Sequence, residues 1–175
     1  MSEVYLINGD TLSNIADAIR DKKGTSDTIL VENMAEEISG IGGGDIKSLL
    51  DKSITSISDN SITTIGTNAF YNCTALETFH FPKLTTIGSS AFFGCSSLAI
   101  TDLPRLCTSI GKSAFFGCTS LTSITFYTTP TSGMLSVFQN CTNLNVINVP
   151  WAEGEVLGAP WGATNATINY NYTGG

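Results

Sequence analysis

Apolar residues in the middle of the chain recur at a fixed interval of 22 or 23 residues. The recurring positions are Phe70, Phe92, Phe115 and Phe138, then Cys73, Cys95, Cys118 and Cys141, and then Leu76, Leu98, Leu121 and Leu144. An Ile-Gly pair precedes each of the first three phenylalanines, at 65–66, 87–88 and 110–111. A period of this length is typical of solenoids, in which each coil buries its apolar face against the next. The pattern predicts about four or five stacked coils over roughly residues 54–150.

Within each unit, the spacing Leu-x-x-apolar-x-apolar predicts a short strand that begins at the recurring leucine. The four strands are expected near residues 76–81, 98–103, 121–126 and 144–149, paired in parallel. The second unit departs from this pattern, because Thr101 takes the middle apolar position.

Alternation along these strands predicts one outward face that could bind a partner. Successive side chains of a strand point to opposite sides, so the second and fourth residues after each leucine should point away from the core. With one residue at a strand end, they are Thr78, His80, Ile100, Asp102, Ser123, Thr125, Tyr127, Val146 and Asn148. This face is almost uncharged and is expected to expose Ile100 and Val146 among hydroxyls. We expect it to suit a neutral glycan or a flat protein surface, with the loops and the C-terminal segment as alternative contact surfaces.

The first 44 residues show helical periodicity instead. Two sets of apolar residues have the i, i+3, i+4, i+7 spacing of one helix face. They are Leu12, Ile15, Ala16 and Ile19, and then Val31, Met34, Ala35 and Ile38. Two such short helices bury too little surface to be stable alone. We predict an N-terminal helical module over 1–44, ending in a Gly-rich linker, that packs on a copy of itself or on a larger particle.

Two further segments follow this module. Residues 45–150 form the predicted solenoid, and residues 151–175 leave the repeat pattern and are expected to cap it. Within the cap, Trp151 and Trp161 should be packed, and residues 166–172 alternate like a half-exposed strand.

Composition and charge exclude several classes of partner. The chain has 175 residues, a net charge of −7 and only 13% charged residues. Without a basic cluster, it is not expected to bind nucleic acid or anionic membranes. No apolar run approaches the roughly 18 residues of a membrane span. The first residues lack the basic start and apolar stretch of a signal peptide, so we expect a soluble protein made in the cytoplasm.

Few residues offer reactive chemistry. Four cysteines recur once per coil rather than in Cys-x-x-Cys pairs, and the chain has one histidine, so no metal site is expected. The four should form a ladder of buried thiols, whereas Cys107 is the additional residue of the second unit and is expected to bulge into solvent. His80 and Asp102 share one position in neighbouring strands, but no obvious nucleophile accompanies them. We expect neither enzymatic activity nor a cofactor.

The Phe-x-x-Cys signature and the strand spacing together resemble the BspA-like subclass of leucine-rich repeats, over roughly residues 62–150. This resemblance implies a parallel-stranded solenoid used for surface recognition. With the N-terminal helical module, the expected fold class is an α+β repeat protein.

The N-terminal residues resemble a second family. Segments 9–12, 15–20, 23–26 and 34–38, with Ile41, look like a module at the start of many phage and prophage virion proteins. That resemblance implies a tail-associated structural protein of the virion, which binds other virion proteins and itself through residues 1–41. The repeat domain would then bind a glycan or protein of the host surface. The alternatives are a bacterial BspA-like cell-surface adhesin, against which the missing signal peptide counts, and a virion decoration protein without a ligand.

Overall fold

The computed structural model describes residues 54–131 and 134–174. These residues form short strands joined by turns, and they contain no helix. The strands are β1 (Ser56–Ser58), β2 (Thr64–Ile65), β3 (Thr78–His80), β4 (Thr86–Ile87), β5 (Ser109–Ile110), β6 (Ser123–Thr125), β7 (Val146–Asn148) and β8 (Thr167–Asn169). The predicted helical module of residues 1–44 lies outside the described residues.

The strand pairings are parallel and join residues about one repeat apart. Strands β2, β4 and β5 form one sheet, in which Thr86 pairs with Thr64 on one side and with Ser109 on the other. Strands β6, β7 and β8 form a second sheet, and β1 pairs with β3. Parallel pairing at the repeat spacing is the arrangement of a solenoid, so the predicted parallel-stranded solenoid is confirmed.

The phenylalanine of each repeat lies at the centre of the coils. Phe70, Phe92, Phe115 and Phe138 are fully buried. Their ring centroids are 5.1, 5.2 and 5.9 Å apart in chain order, and consecutive rings are nearly parallel. Because neighbouring strands lie about 4.8 Å apart, the rings stack at nearly the spacing of the coils. The predicted buried ladder is confirmed.

Close contact between coils requires glycine after the recurring isoleucine. A Cβ atom at Gly88 would lie 2.6 Å from the carbonyl carbon of Gly66, and one at Gly111 would lie 2.6 Å from the carbonyl carbon of Gly88. Both clashes are with backbone, which cannot rotate aside as a side chain can. The Ile-Gly pair therefore places an apolar side chain in the core and lets the next coil approach.

The recurring cysteines hold their thiols between coils. The Sγ of Cys95, Cys118 and Cys141 donates a hydrogen bond to the carbonyl of Phe70, Phe92 and Phe115, respectively, at 3.0, 3.2 and 3.0 Å. Burial raises the pKa of the Cys141 thiol to about 11 and holds that of Cys118 well above its usual range. A neutral thiol is a poor nucleophile, so these cysteines serve packing.

The predicted exposure of Cys107 is wrong. Its side chain is 2% exposed, and burial raises the pKa of its thiol to about 11. Cys107 occupies the core position that Leu84 holds one coil earlier, since each stands three residues before the recurring isoleucine. The looped-out residue is Leu106, which is 52% exposed. The distance between successive phenylalanines shows that the second unit has one additional residue. It does not show which residue of the unit lies outside the core.

The predicted strand over 98–103 does not form. Asp102 makes an isolated parallel bridge to Thr125, and the rest of the segment belongs to no strand. Ile100 turns inward and is buried, whereas Thr101 is exposed. Burying a hydroxyl without a partner costs free energy, so the apolar neighbour takes the core position. As a result, the ladder between β3 and β6 is interrupted, while the other three predicted strands appear as β3, β6 and β7.

The C-terminal segment adds one more strand to the solenoid. Strand β8 falls within the predicted strand 166–172 and pairs in parallel with β7. Trp151 and Trp161 are 3% and 1% exposed and pack edge to face, with centroids 6.0 Å apart. The predicted packing of both tryptophans is confirmed.

Replacing Phe115 with alanine should lower the free energy of unfolding by roughly 3–5 kcal/mol, because the ring is fully buried and stacked on both sides. Phe116→Ala is the matched control. Phe116 also stacks, on Phe93 at 4.5 Å, but it is only half-buried. Urea unfolding of both variants measures the difference, and an equal loss would contradict the central role of the buried ladder.

Gly111→Ala should destabilise the domain by about 1–3 kcal/mol or more, because the added methyl group overlaps the backbone of the preceding coil. Gly154→Asn should cost less, because no atom lies within 4 Å of a Cβ atom at Gly154 and asparagine tolerates the positive φ found there. Thermal unfolding compares the two variants, and a stable Gly111→Ala protein would show that the coils have room to separate.

Candidate functional site

The strand face predicted from the sequence is formed only in part. Thr78, His80 and Asp102 are exposed, and Ser123, Tyr127, Val146 and Asn148 are half-buried. The predicted exposure of Ile100 and Thr125 is wrong, because each is only 8% exposed. Ile100 replaces Thr101 in the core, and the side-chain Nδ2 of Asn148 donates to the Thr125 hydroxyl oxygen at 3.2 Å.

Polar side chains on the C-terminal half of this face bind one another. The Asn148 side chain donates to Thr125, and Asn169 Nδ2 donates to Asn148 Oδ1 at 2.8 Å. One residue from each of β6, β7 and β8 takes part, so the ladder of side chains follows the ladder of strands. The exposed polar groups that remain are concentrated around His80 and Asp102.

An open depression with a volume of about 430 Å³ lies where the ladder between β3 and β6 is interrupted. It is lined by residues 79–82 of one coil, residues 102–105 of the next, and Tyr127 of the third. The buried side chains of Phe79, Phe81 and Leu103 provide apolar surface there. The depression brings together His80, Asp102 and Tyr127 from the predicted set.

Hydrogen bonds connect the polar side chains of this depression. The Tyr127 hydroxyl donates to Asp102 Oδ1 at 2.7 Å, and the Thr101 hydroxyl donates to Asp102 Oδ2 at 2.7 Å. The hydrogen bond to Asp102 is the main cause that raises the pKa of Tyr127. Tyr127 is therefore a protonated donor at neutral pH, and both carboxylate oxygens of Asp102 are engaged.

Arg105 also belongs to this site, although the strand pattern did not include it. Its guanidinium carbon lies 4.1 Å from the centroid of the Tyr127 ring, which is within the range of a cation–π interaction. Arg105 follows Pro104 in the turn after the strand position, and Lys83 follows Pro82 in the preceding coil. This recurring Pro-basic dipeptide is the signal in the sequence that could have identified Arg105.

The chemistry available to the site is recognition by hydrogen bonds, charge and apolar contact. Among the residues that the structure describes, no three His, Cys, Asp or Glu side chains are grouped to hold a metal ion. The thiols are buried away from the depression. Within residues 54–131 and 134–174, no helical segment has the length and hydropathy to cross a membrane.

The family model for the BspA-type leucine-rich-repeat region matches residues 48–156, in six copies. The chain belongs to this repeat family. The match agrees with the stacked coils and with the Phe-x-x-Cys signature described above, but it counts six repeats where the spacing predicted four or five.

Two solved structures, one of a leucine-rich repeat protein and one of a leucine-rich cell surface protein, are similar to this chain. A protein from Bacteroides ovatus is 26% identical with a TM-score of 0.54, and the alignment covers 67% of this chain and 36% of that one. A leucine-rich cell surface protein from Faecalibacterium prausnitzii is 33% identical with a TM-score of 0.46, over 55% of this chain and 27% of that one. The chain therefore spans about a third of the length of these proteins or less. A search of curated proteins finds no match.

Tyr127→Phe should remove a hydrogen bond whose contribution to stability depends on pH. A raised pKa in the folded state means that the contribution is present below the ordinary tyrosine pKa, near 10. It should be lost as the pH rises through the raised pKa of Tyr127. The stability difference between the parent and Tyr127→Phe, measured by urea unfolding from pH 7 to 11, should shrink at the alkaline end. A constant difference would contradict the bond to Asp102.

Proposed function

We propose that the repeat domain is a recognition module that binds a glycan or protein of a cell surface, and that it has no catalytic role. The observation that carries this proposal is the open depression at the interrupted ladder, where Asp102, Tyr127 and Arg105 are held in fixed contact beside apolar surface. Buried side chains and turns from three successive coils position these groups. A rigid, partly apolar depression with a few oriented polar groups is the usual form of a binding site.

We also propose that the chain is a structural protein of a phage virion, associated with the tail, with the repeat domain displayed outward. The support for a role in the virion is the resemblance of residues 9–41 to the first module of phage virion proteins. In this proposal, residues 1–41 bind other virion proteins and further copies of the chain. Membership of the repeat family supports a second proposal equally well, namely that the chain is a bacterial BspA-like cell-surface adhesin.

Removing residues 1–44 should leave a folded, monomeric repeat domain that still binds cell walls but no longer assembles on particles. Immunogold labelling of purified virions, with full-length and truncated chains, tests whether the chain is a virion protein. Labelling of virions by the truncated chain would show that the module is not the anchor. Labelling of bacterial surfaces and not of virions would support the adhesin.

Binding of the full chain to walls of candidate host cells tests recognition itself. Asp102→Ala should weaken that binding because it releases both Tyr127 and Thr101. Asp59→Ala is the matched control, since the Asp59 carboxylate accepts hydrogen bonds from Ser61 and is not part of the depression. Absence of wall binding by the parent chain would leave the ligand-free decoration protein as the function.

A further inference from the structure

Basic residues are few in the repeat domain, and two of them stand beside the depression. Residues 54–131 and 134–174 contain Lys83, Arg105 and Lys112. Arg105 lines the depression, and Lys83 directly follows Pro82, which lines it as well. The chain as a whole is acidic, with a net charge of −7, so two basic residues at one place on its surface are unusual.

The guanidinium of Arg105 lies exposed beside the acidic residue of the depression, where a ligand can reach it. Asp102 is the acid among the lining residues, and its two oxygens already accept hydrogen bonds from Tyr127 and Thr101. The guanidinium carbon of Arg105 lies over the Tyr127 ring, 4.1 Å from its centroid. Arg105 is exposed, so the N–H donors that point away from the ring are open to a ligand.

A planar guanidinium held in this way matches a carboxylate, which it can bind with two parallel hydrogen bonds. The remaining walls are apolar, with Phe79, Phe81 and Leu103 below the surface and Pro82 and Pro104 at the rim. His80 adds one hydrogen-bonding group at the same rim. A sugar ring presents C–H faces to apolar walls and hydroxyls to polar groups, and a uronate adds a carboxylate to that ring.

We propose that the depression binds an acidic saccharide, and that Arg105 pairs with the carboxylate of a hexuronate ring. The ring packs between Pro82 and Pro104, and the imidazole of His80 hydrogen-bonds a ring hydroxyl. This inference rests on the proposed function as a surface-recognition module, since it names the chemistry of that ligand. The strand face alone led us to expect a neutral partner, whereas the ligand proposed here carries carboxylates.

The experiment is titration of the full-length chain with tetragalacturonate and with its methyl ester. Binding is measured by calorimetry, and the binding site is mapped from amide NMR shifts. The two probes have the same rings and hydroxyls and differ in the carboxylate charge. The acid should bind at least about tenfold more tightly than the ester, which corresponds to the loss of one charge-assisted pair. Shifts should be confined to residues 79–82 and 102–105 and to Tyr127.

Two variants assign the effect to Arg105. Arg105→Gln should remove the preference for the acid over the ester, and Lys112→Gln, which removes the same charge outside the depression, should preserve it. A preference for the acid that survives in Arg105→Gln, equal affinity for the two probes, or no binding of either would overturn the inference. Tighter binding of a glycerol phosphate oligomer than of tetragalacturonate would also overturn it, in favour of a phosphate ligand.

The failure of this inference and that of the proposed function are distinguishable. If neither saccharide binds but the parent chain still binds host walls and Asp102→Ala does not, recognition stands and the uronate is the wrong ligand. If the parent chain binds no wall and no probe, both fail. Circular dichroism of Arg105→Gln confirms that the solenoid remains folded, because Arg105 is exposed and contacts Tyr127 at the surface.

Discussion

The repeat domain depends on one distance, the separation of about 4.8 Å between neighbouring coils. At this separation the phenylalanine rings stack with centroids 5.1–5.9 Å apart. The same separation leaves no room for a Cβ atom at Gly88 or Gly111. It also places Cys95, Cys118 and Cys141 within reach of the carbonyl of the phenylalanine one coil earlier. Aromatic, glycine and cysteine positions are therefore three consequences of one geometric requirement.

The candidate site arises where that regularity is broken. Thr101 cannot take an apolar core position without losing hydration, so Ile100 turns inward and the strand expected there is reduced to one bridge at Asp102. The turn that follows accommodates an additional residue, Leu106, at the surface. Two irregularities within one coil thus produce a depression that three neighbouring coils line, whereas regular coils present a flat row of strands.

The regular part of the fold could be predicted because it depends on spacing alone. Phe115 and Leu121, for example, occupy positions that recur in four successive coils. Predictions failed next to irregularities. Cys107 was expected in solvent and Ile100 on the outer face, because a period counted between phenylalanines does not show where within a unit the chain shifts. Arg105 was missed for a related reason. Its contact with Tyr127 joins residues of different coils, and only the path of the turn after Leu103 brings them together.

The hydrogen-bonded cysteines have a consequence for the conditions under which the domain can exist. All five cysteines of the chain are buried thiols, and the contacts between coils come from stacking, backbone pairing and S–H donors rather than from covalent links. No oxidant is required to complete the described core, and a reductant has no bond there to cleave. The packing of the described coils therefore does not depend on the redox state of a disulfide.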